Sequence, residues 1–254
     1  MGYSTRDYAR GFSSNQNQLP PGVRWLLIIN VGVWLVYFFA SVAGYGKLFN
    51  PFALVPDDVL HRFSIWQLVT YTFLHSAGNL THILFNMLAL WMFGKDLELL
   101  WGTQRFLRFY FLCGIGAGVC VTVVNSFFGD ANSRTIGASG AIFGLLVAFG
   151  MSFPEATIIY ILFPIKAKYF VMIMGALAFF GTFGTNTGVS NIAHLGGLVI
   201  GFLYVRATRG ARRARQSDPI DSIRMRYKQW RLERARRKFQ VYMRKQGRGG
   251  PWVN

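Results

Sequence analysis

The chain is cut into apolar runs by short polar and charged intervals, and no other feature limits its fold as much. The runs cover about residues 25–43, 80–93, 106–128, 139–153, 169–183 and 191–205. Inside a bilayer the backbone finds no water, so a spanning run of this kind must be a helix that satisfies its own N–H and C=O groups. With 52% of its 254 residues hydrophobic, the chain holds enough apolar sequence for several such helices and too much for an ordinary soluble domain. The expected fold is an all-α membrane protein with a bundle of six transmembrane helices. Residues 1–22 read as a polar cytosolic segment, 23–206 as the six-span membrane domain, and 207–254 as a basic amphipathic cytosolic tail. Residues 44–65 are too polar to span and too apolar to be solvated, which suits a half-submerged loop between helices 1 and 2. Residues 156–163 are apolar but too short to cross, and are expected to lie in the interface.

Charge sets the orientation. Six spans leave both ends on one side, and Arg6, Arg10, Arg24, the connections after spans two and four, and the basic tail share that side. By the positive-inside rule it is the cytosolic side. The expected location is therefore multi-pass in a membrane, a prokaryotic inner membrane, with both termini cytosolic. Residues 13–18 are polar and no small-residue cleavage site follows the first run, which argues against a signal peptide. In the tail, Ile220, Ile223, Tyr227 and Trp230 recur at helical spacing, as do Leu232, Ala235, Phe239 and Tyr242. Membrane lipids, through anionic headgroups at this tail, are the expected contact; a solvated charged tail is the alternative. No nucleic acid is expected, because a basic run alone is poor evidence for one. Cys113 and Cys120 lie a heptad apart in one apolar run and read as small buried hydrophobes. Neither a metal nor any other cofactor is expected.

Polar side chains inside spans are costly and each asks for a reason. They are His82 and Asn86 in span two, Ser139 at the start of span four, and His194 in span six. No Asp or Glu lies within an apolar run, which removes an aspartyl intramembrane protease, and no His-Glu-x-x-His occurs, which removes a zincin. Span four follows a wet loop, residues 129–135, and is short, so its helix starts below the membrane surface. Irregular backbone at that depth is tolerated only if packed in protein or lining a wet cavity. Ser139, between Gly137-Ala138 and Gly140, is thus expected in a water-reachable pocket. His194, Gly197 and Gly201 share one helix face, and Gly140 and Gly144 make a matching small-residue face on span four. Pressing these faces together would bring the His194 ring within reach of the Ser139 hydroxyl, a base beside a nucleophile. His82 and Asn86, at i and i+4, could donate to an oxyanion. Plain helix packing for the glycines, a carbonyl-bonded structural histidine and interhelical polar glue are the competing explanations. A small transporter would also use intramembrane histidines, but no internal repeat is evident.

Together the residues resemble a family. Gly137-Ala138-Ser139-Gly140, His82-Ile83-Leu84-Phe85-Asn86, and Ala193-His194-Leu195-Gly196-Gly197 with Gly201 are similar, in this order, to the motifs of the rhomboid intramembrane serine proteases, and the likeness extends over residues 25–205. The resemblance implies a rhomboid-like bundle with a Ser139–His194 catalytic pair lacking an acidic third member. It implies an oxyanion hole from His82, Asn86 and the Ser139 backbone N–H, supported by Gly137, Gly140, Phe143, Gly197 and Gly201. The implied substrates are single-span transmembrane proteins, cut in or near the bilayer after reaching the site past span five or under the 181–188 loop. The alternative is an inactive rhomboid-like protein that binds membrane clients. Two positions depart from the family pattern: Gln67 follows Trp66 where Arg is common, and Phe143 stands where some members have Tyr. His75 reads as a loop anchor, and Phe85 as facing a lateral gate.

Overall fold

The first helix, α1 (Pro21–Val42), opens on a proline, whose missing N–H costs nothing at a helix start. The next two N–H groups, of Gly22 and Val23, donate to the two carboxylate oxygens of Glu98 at 2.8 and 2.7 Å. A carboxylate suits the positive end of the helix dipole, and Thr103 Oγ1 donates to the same group at 2.7 Å. The computed structural model describes residues 19–160, 163–183, 190–216 and 219–245. The polar lead at residues 1–18 and most of the 181–188 loop fall outside the described residues. Two compact units are present, one up to Tyr204 and one from Val205.

In the first unit α1 leads into a 3-10 turn (Gly46–Phe52), the short helices α2 (Pro56–His61) and α3 (Gln67–Thr70), and a second 3-10 turn (Tyr71–Phe73). The segment between α1 and α3 is therefore ordered, while Leu48, Phe52, Phe63 and Ile65 stay exposed. Gln67 fixes it from within. This side chain is buried; its carbonyl oxygen accepts from Val55 N–H at 2.9 Å, and its amide donates to Asp58 at 3.3 Å and to the Pro51 carbonyl at 3.4 Å. The Trp66 indole N–H donates to the same Pro51 carbonyl at 2.9 Å.

Helix α4 (Leu80–Trp101) is capped by Asn79, whose side chain accepts from His82 N–H at 3.3 Å. The sequence suggested an end near residue 93 and a charged connection. The helix instead runs through Lys95, Asp96 and Glu98, because charges do not interrupt the backbone ladder. It stops at Gly102, whose φ of +79° lies in the left-handed region. Glu98 is accordingly buried rather than solvated. Helix α5 (Thr103–Phe128) follows at once. By length and composition, α1 and α5 could each cross a membrane; α6 (Ser139–Ser152) and α7 (Ala167–Gly181) are shorter apolar helices. Helix α6 is buried along most of its length and packs against α5, α4 and α7.

Between α6 and α7 the fold is not all-α. Strands β1 (Thr157–Tyr160) and β2 (Phe163–Lys166) pair antiparallel with Thr157 opposite Lys166 and Ile158 opposite Ile165. The stretch expected to rest in the interface is half of this hairpin, and its β-branched and aromatic residues favour the pleated form. Glu155 beside it accepts from Lys166 and Lys168 at 2.6 and 2.5 Å. These two ammonium groups hold its carboxyl well below its ordinary value, at about 2. Helix α8 (Asn191–Gln216) continues past the expected end at residue 205, and the boundary between the units falls within it. The second unit contains α9 (Pro219–Lys245). There the side chains of Ile220 and Ile223 are outside the described residues, while Tyr227, Trp230, Leu232, Phe239 and Tyr242 are exposed.

Candidate active site

Ser139 is the first residue of α6, and its position is set by the loop that leads into it. Thr135 exchanges both backbone hydrogen bonds with Leu54, at 3.0 and 2.9 Å, tying the loop to the segment that Gln67 fixes. Gly137 N–H donates to the Tyr71 carbonyl at 2.9 Å, and Ala138 N–H to His75 Nε2 at 3.5 Å. Gly137 has φ +118°, and a Cβ there would also lie 2.8 Å from His82 Nε2. Glycine is required on both counts. The His82 ring thus lies against the turn that presents Ser139.

His82 Nδ1 accepts from Ser76 N–H at 3.4 Å. In a neutral imidazole the other nitrogen then carries the proton, so the bonding network assigns Nε2–H as a donor at the Gly137 turn. His75, fully buried, has its ring 5.1 Å from that of His82. By accepting from Ala138 it links the start of the α4 cap loop to the serine turn. Trp34 holds the same cap loop from α1, its indole donating to the Ser76 carbonyl at 3.1 Å. Asn86 has one of its two amide N–H groups engaged. Its Nδ2 donates to the His82 carbonyl at 2.6 Å, one turn back on its own helix, which leaves one N–H for any oxyanion.

His194 lies on α8 and stacks on Phe143, ring centroids 4.1 Å apart and planes within 8°. Phe143 is one turn after Ser139 on α6. The two helices meet along glycine. The position of a Gly197 Cβ is already occupied by the Gly140 carbonyl oxygen, and a Gly201 Cβ would lie 3.0 Å from the Gly144 carbonyl. A Gly140 Cβ would lie 2.6 Å from Ala117 Cβ and 3.3 Å from the Ala193 carbonyl, and a Gly144 Cβ 2.5 Å from Cys113 Sγ. The residue after the serine thus touches the residue three places after the histidine. Ser139 and His194 are both half-buried. Among the described residues no hydrogen bond joins the Ser139 hydroxyl to the His194 ring, whose plane is set by the stack on Phe143. Phe85 is exposed on α4.

Tyr71 was missed by reading the sequence. Its hydroxyl donates to the Gly114 carbonyl at 2.7 Å, its carbonyl holds Gly137, and it is fully buried. The one available signal was a phenol within an apolar segment. His82 Nε2 thus faces the turn before Ser139, and the helix that carries His194 meets the residue after the serine. The leading N–H groups of α6 also have no acceptor within that helix, and their dipole favours negative charge.

Residues 62–210 match the rhomboid domain family. The chain is 31% identical over 194 residues to the chloroplastic Rhomboid-like protein 11 of Arabidopsis thaliana, covering 72% of this chain and 64% of that protein. It is 32% identical over 157 residues to the rhomboid protease GluP of Bacillus subtilis (strain 168), covering 56% of this chain and 26% of that protein. With YdcA of the same organism the identity is 30% over 190 residues, 73% of this chain and 87% of that protein. Members of this class are membrane-embedded. The chain belongs to the rhomboid family. It spans less than two thirds of the length of the first two relatives.

Proposed function

We propose that the chain is an intramembrane serine endopeptidase that cleaves single-span membrane proteins in or near the bilayer. The observation that supports this reading is the stack of His194, on α8, against Phe143, one turn after Ser139 on α6, beside the Gly140–Gly197 contact. Six membrane spans with both ends cytosolic belong to the same proposal. In the mechanism, Ser139 Oγ bonds to the scissile carbonyl carbon while its proton passes to the His194 ring. The carbonyl oxygen, now an oxyanion, accepts from His82 Nε2–H, the Ser139 backbone N–H and the remaining Asn86 N–H. On collapse the C–N bond breaks, and His194 returns the proton to the leaving amine. Water then attacks the acyl carbon, giving its proton to His194, and the Ser139 oxygen leaves and regains it. A shift of the His194 ring on Phe143 to meet Oγ is part of this scheme, since catalytic hydrogen bonds often tighten only with substrate bound.

One observation favours a second reading, a client-binding relative without turnover: the Ser139 hydroxyl and the His194 ring share no hydrogen bond among the described residues. A fluorophosphonate probe separates the two. The folded protein is expected to be labelled at Ser139, with Ser139→Ala and His194→Ala unlabelled and unable to cut a reconstituted single-span substrate. Cleavage undiminished in Ser139→Ala would end the protease reading.

A further inference from the structure

We propose that α9 is a lipid-binding arm that rests on anionic phospholipid headgroups at the membrane face from which α8 emerges. Three observations lead there. Sixteen of the chain's 27 Lys and Arg follow Val205, against three acidic residues. In α8, apolar sequence gives way to Arg206, Arg209, Arg212, Arg213 and Arg215 within one continuous helix, the pattern of a helix leaving hydrocarbon for the headgroup layer. Only two residues of chain separate the end of α8 from the start of α9. The surface nearest to α9 along the chain is therefore the bilayer, and so short a tether keeps it at high effective concentration there.

The side chains of α9 suit a headgroup layer better than water. Tyr227, Trp230, Leu232, Phe239, Val241 and Tyr242 are each more than half exposed. Tyr227 and Trp230 stack with centroids 5.9 Å apart, and the Arg234 guanidinium lies 5.2 Å from the Trp230 ring. Arg231, Arg236 and Arg237 are exposed on the same turns. Indole and phenol rings partition to the membrane interface, and arginine can lay its stem on apolar surface while its head meets phosphate. Arginine and aromatic side chains are interleaved along α9, so charge attraction and ring partitioning act on the same helix.

The inference rests on family membership and not on catalysis, so the Ser139→Ala protein serves equally well. The full chain is placed in nanodiscs of phosphatidylcholine, and in others containing about a third phosphatidylglycerol, and treated with trypsin. Cleavage after Arg231, Arg234 and Arg237 is expected to be slower in the anionic discs by at least about fivefold, the weight of a single basic residue at such a surface. Raising salt from about 0.1 to about 1 M shortens screening from about 10 to about 3 Å and is expected to restore cleavage. Replacing Trp230, Phe239 and Tyr242 by Ser, with charge unchanged, is expected to lose part of the protection. Equal cleavage in the two discs, or protection that salt leaves intact, would overturn the proposal. So would a single-stranded oligonucleotide that protects the arm in neutral discs as well as anionic lipid does, since that would mark a nucleic-acid surface.

Discussion

A neutral imidazole with one ring nitrogen already accepting has a single donor left, and His82 is in that state beside the serine turn. Asn86 differs, because one amide N–H is committed to its own helix. The two are therefore unequal in the proposed reaction. Losing a preorganised oxyanion donor typically costs about 3–4 kcal/mol, so His82→Ala is expected to lower kcat about 10²–10³-fold. Asn86→Ala is expected to lower it by clearly less, measured on the same reconstituted single-span substrate. Equal losses would show that Asn86 directs both N–H bonds where they are needed. Ser139, His82 and His194 are candidates the sequence offers because polar side chains stand out in apolar surroundings. Tyr71 and Gln67 could not be read in this way. Both act on backbone groups, of Gly137 and Val55, and a backbone partner has no letter in the sequence.

At the scale of helices, the α6–α8 seam leaves no room for a methyl group. Gly197→Ala sets a Cβ against the Gly140 carbonyl, a backbone atom that cannot rotate away. The expected loss is more than about 2 kcal/mol of stability, with activity lost alongside. Gly32 has nothing within 4 Å of its Cβ position, so Gly32→Ala is expected to stay within about 1 kcal/mol of the parent. Thermal unfolding of both variants in detergent tests the contrast, and equal melting of the two would refute the seam as a packing constraint. The seam was legible, since glycines at i and i+4 announce a close approach. The end of α4 was not, because Lys95 and Asp96 looked like a boundary while Gly102 was the real one. The hairpin departs from an all-α bundle, and its signal is the β-branching of Thr157, Ile158 and Ile159.

Over the whole membrane unit, the least visible fixed point is Glu98. Its partners, Gly22 and Val23, are 76 and 75 residues away in sequence, and both are backbone N–H groups. Glu98→Ala would strip acceptors from two buried N–H groups and the Thr103 hydroxyl. It is expected to cost at least about 2 kcal/mol, read as a lower unfolding temperature in detergent, and Glu98→Gln to recover part of it. His82 and Asn86 stand at the opposite end of α4, about 18–24 Å away at 1.5 Å per residue. The carboxylate works like the rivet of a pair of tongs. With α1, α4 and the head of α5 pinned together there, a tilt of α4 about the pin displaces its far end, beside the serine, the most, and the Trp34 bond to the Ser76 carbonyl is what resists it.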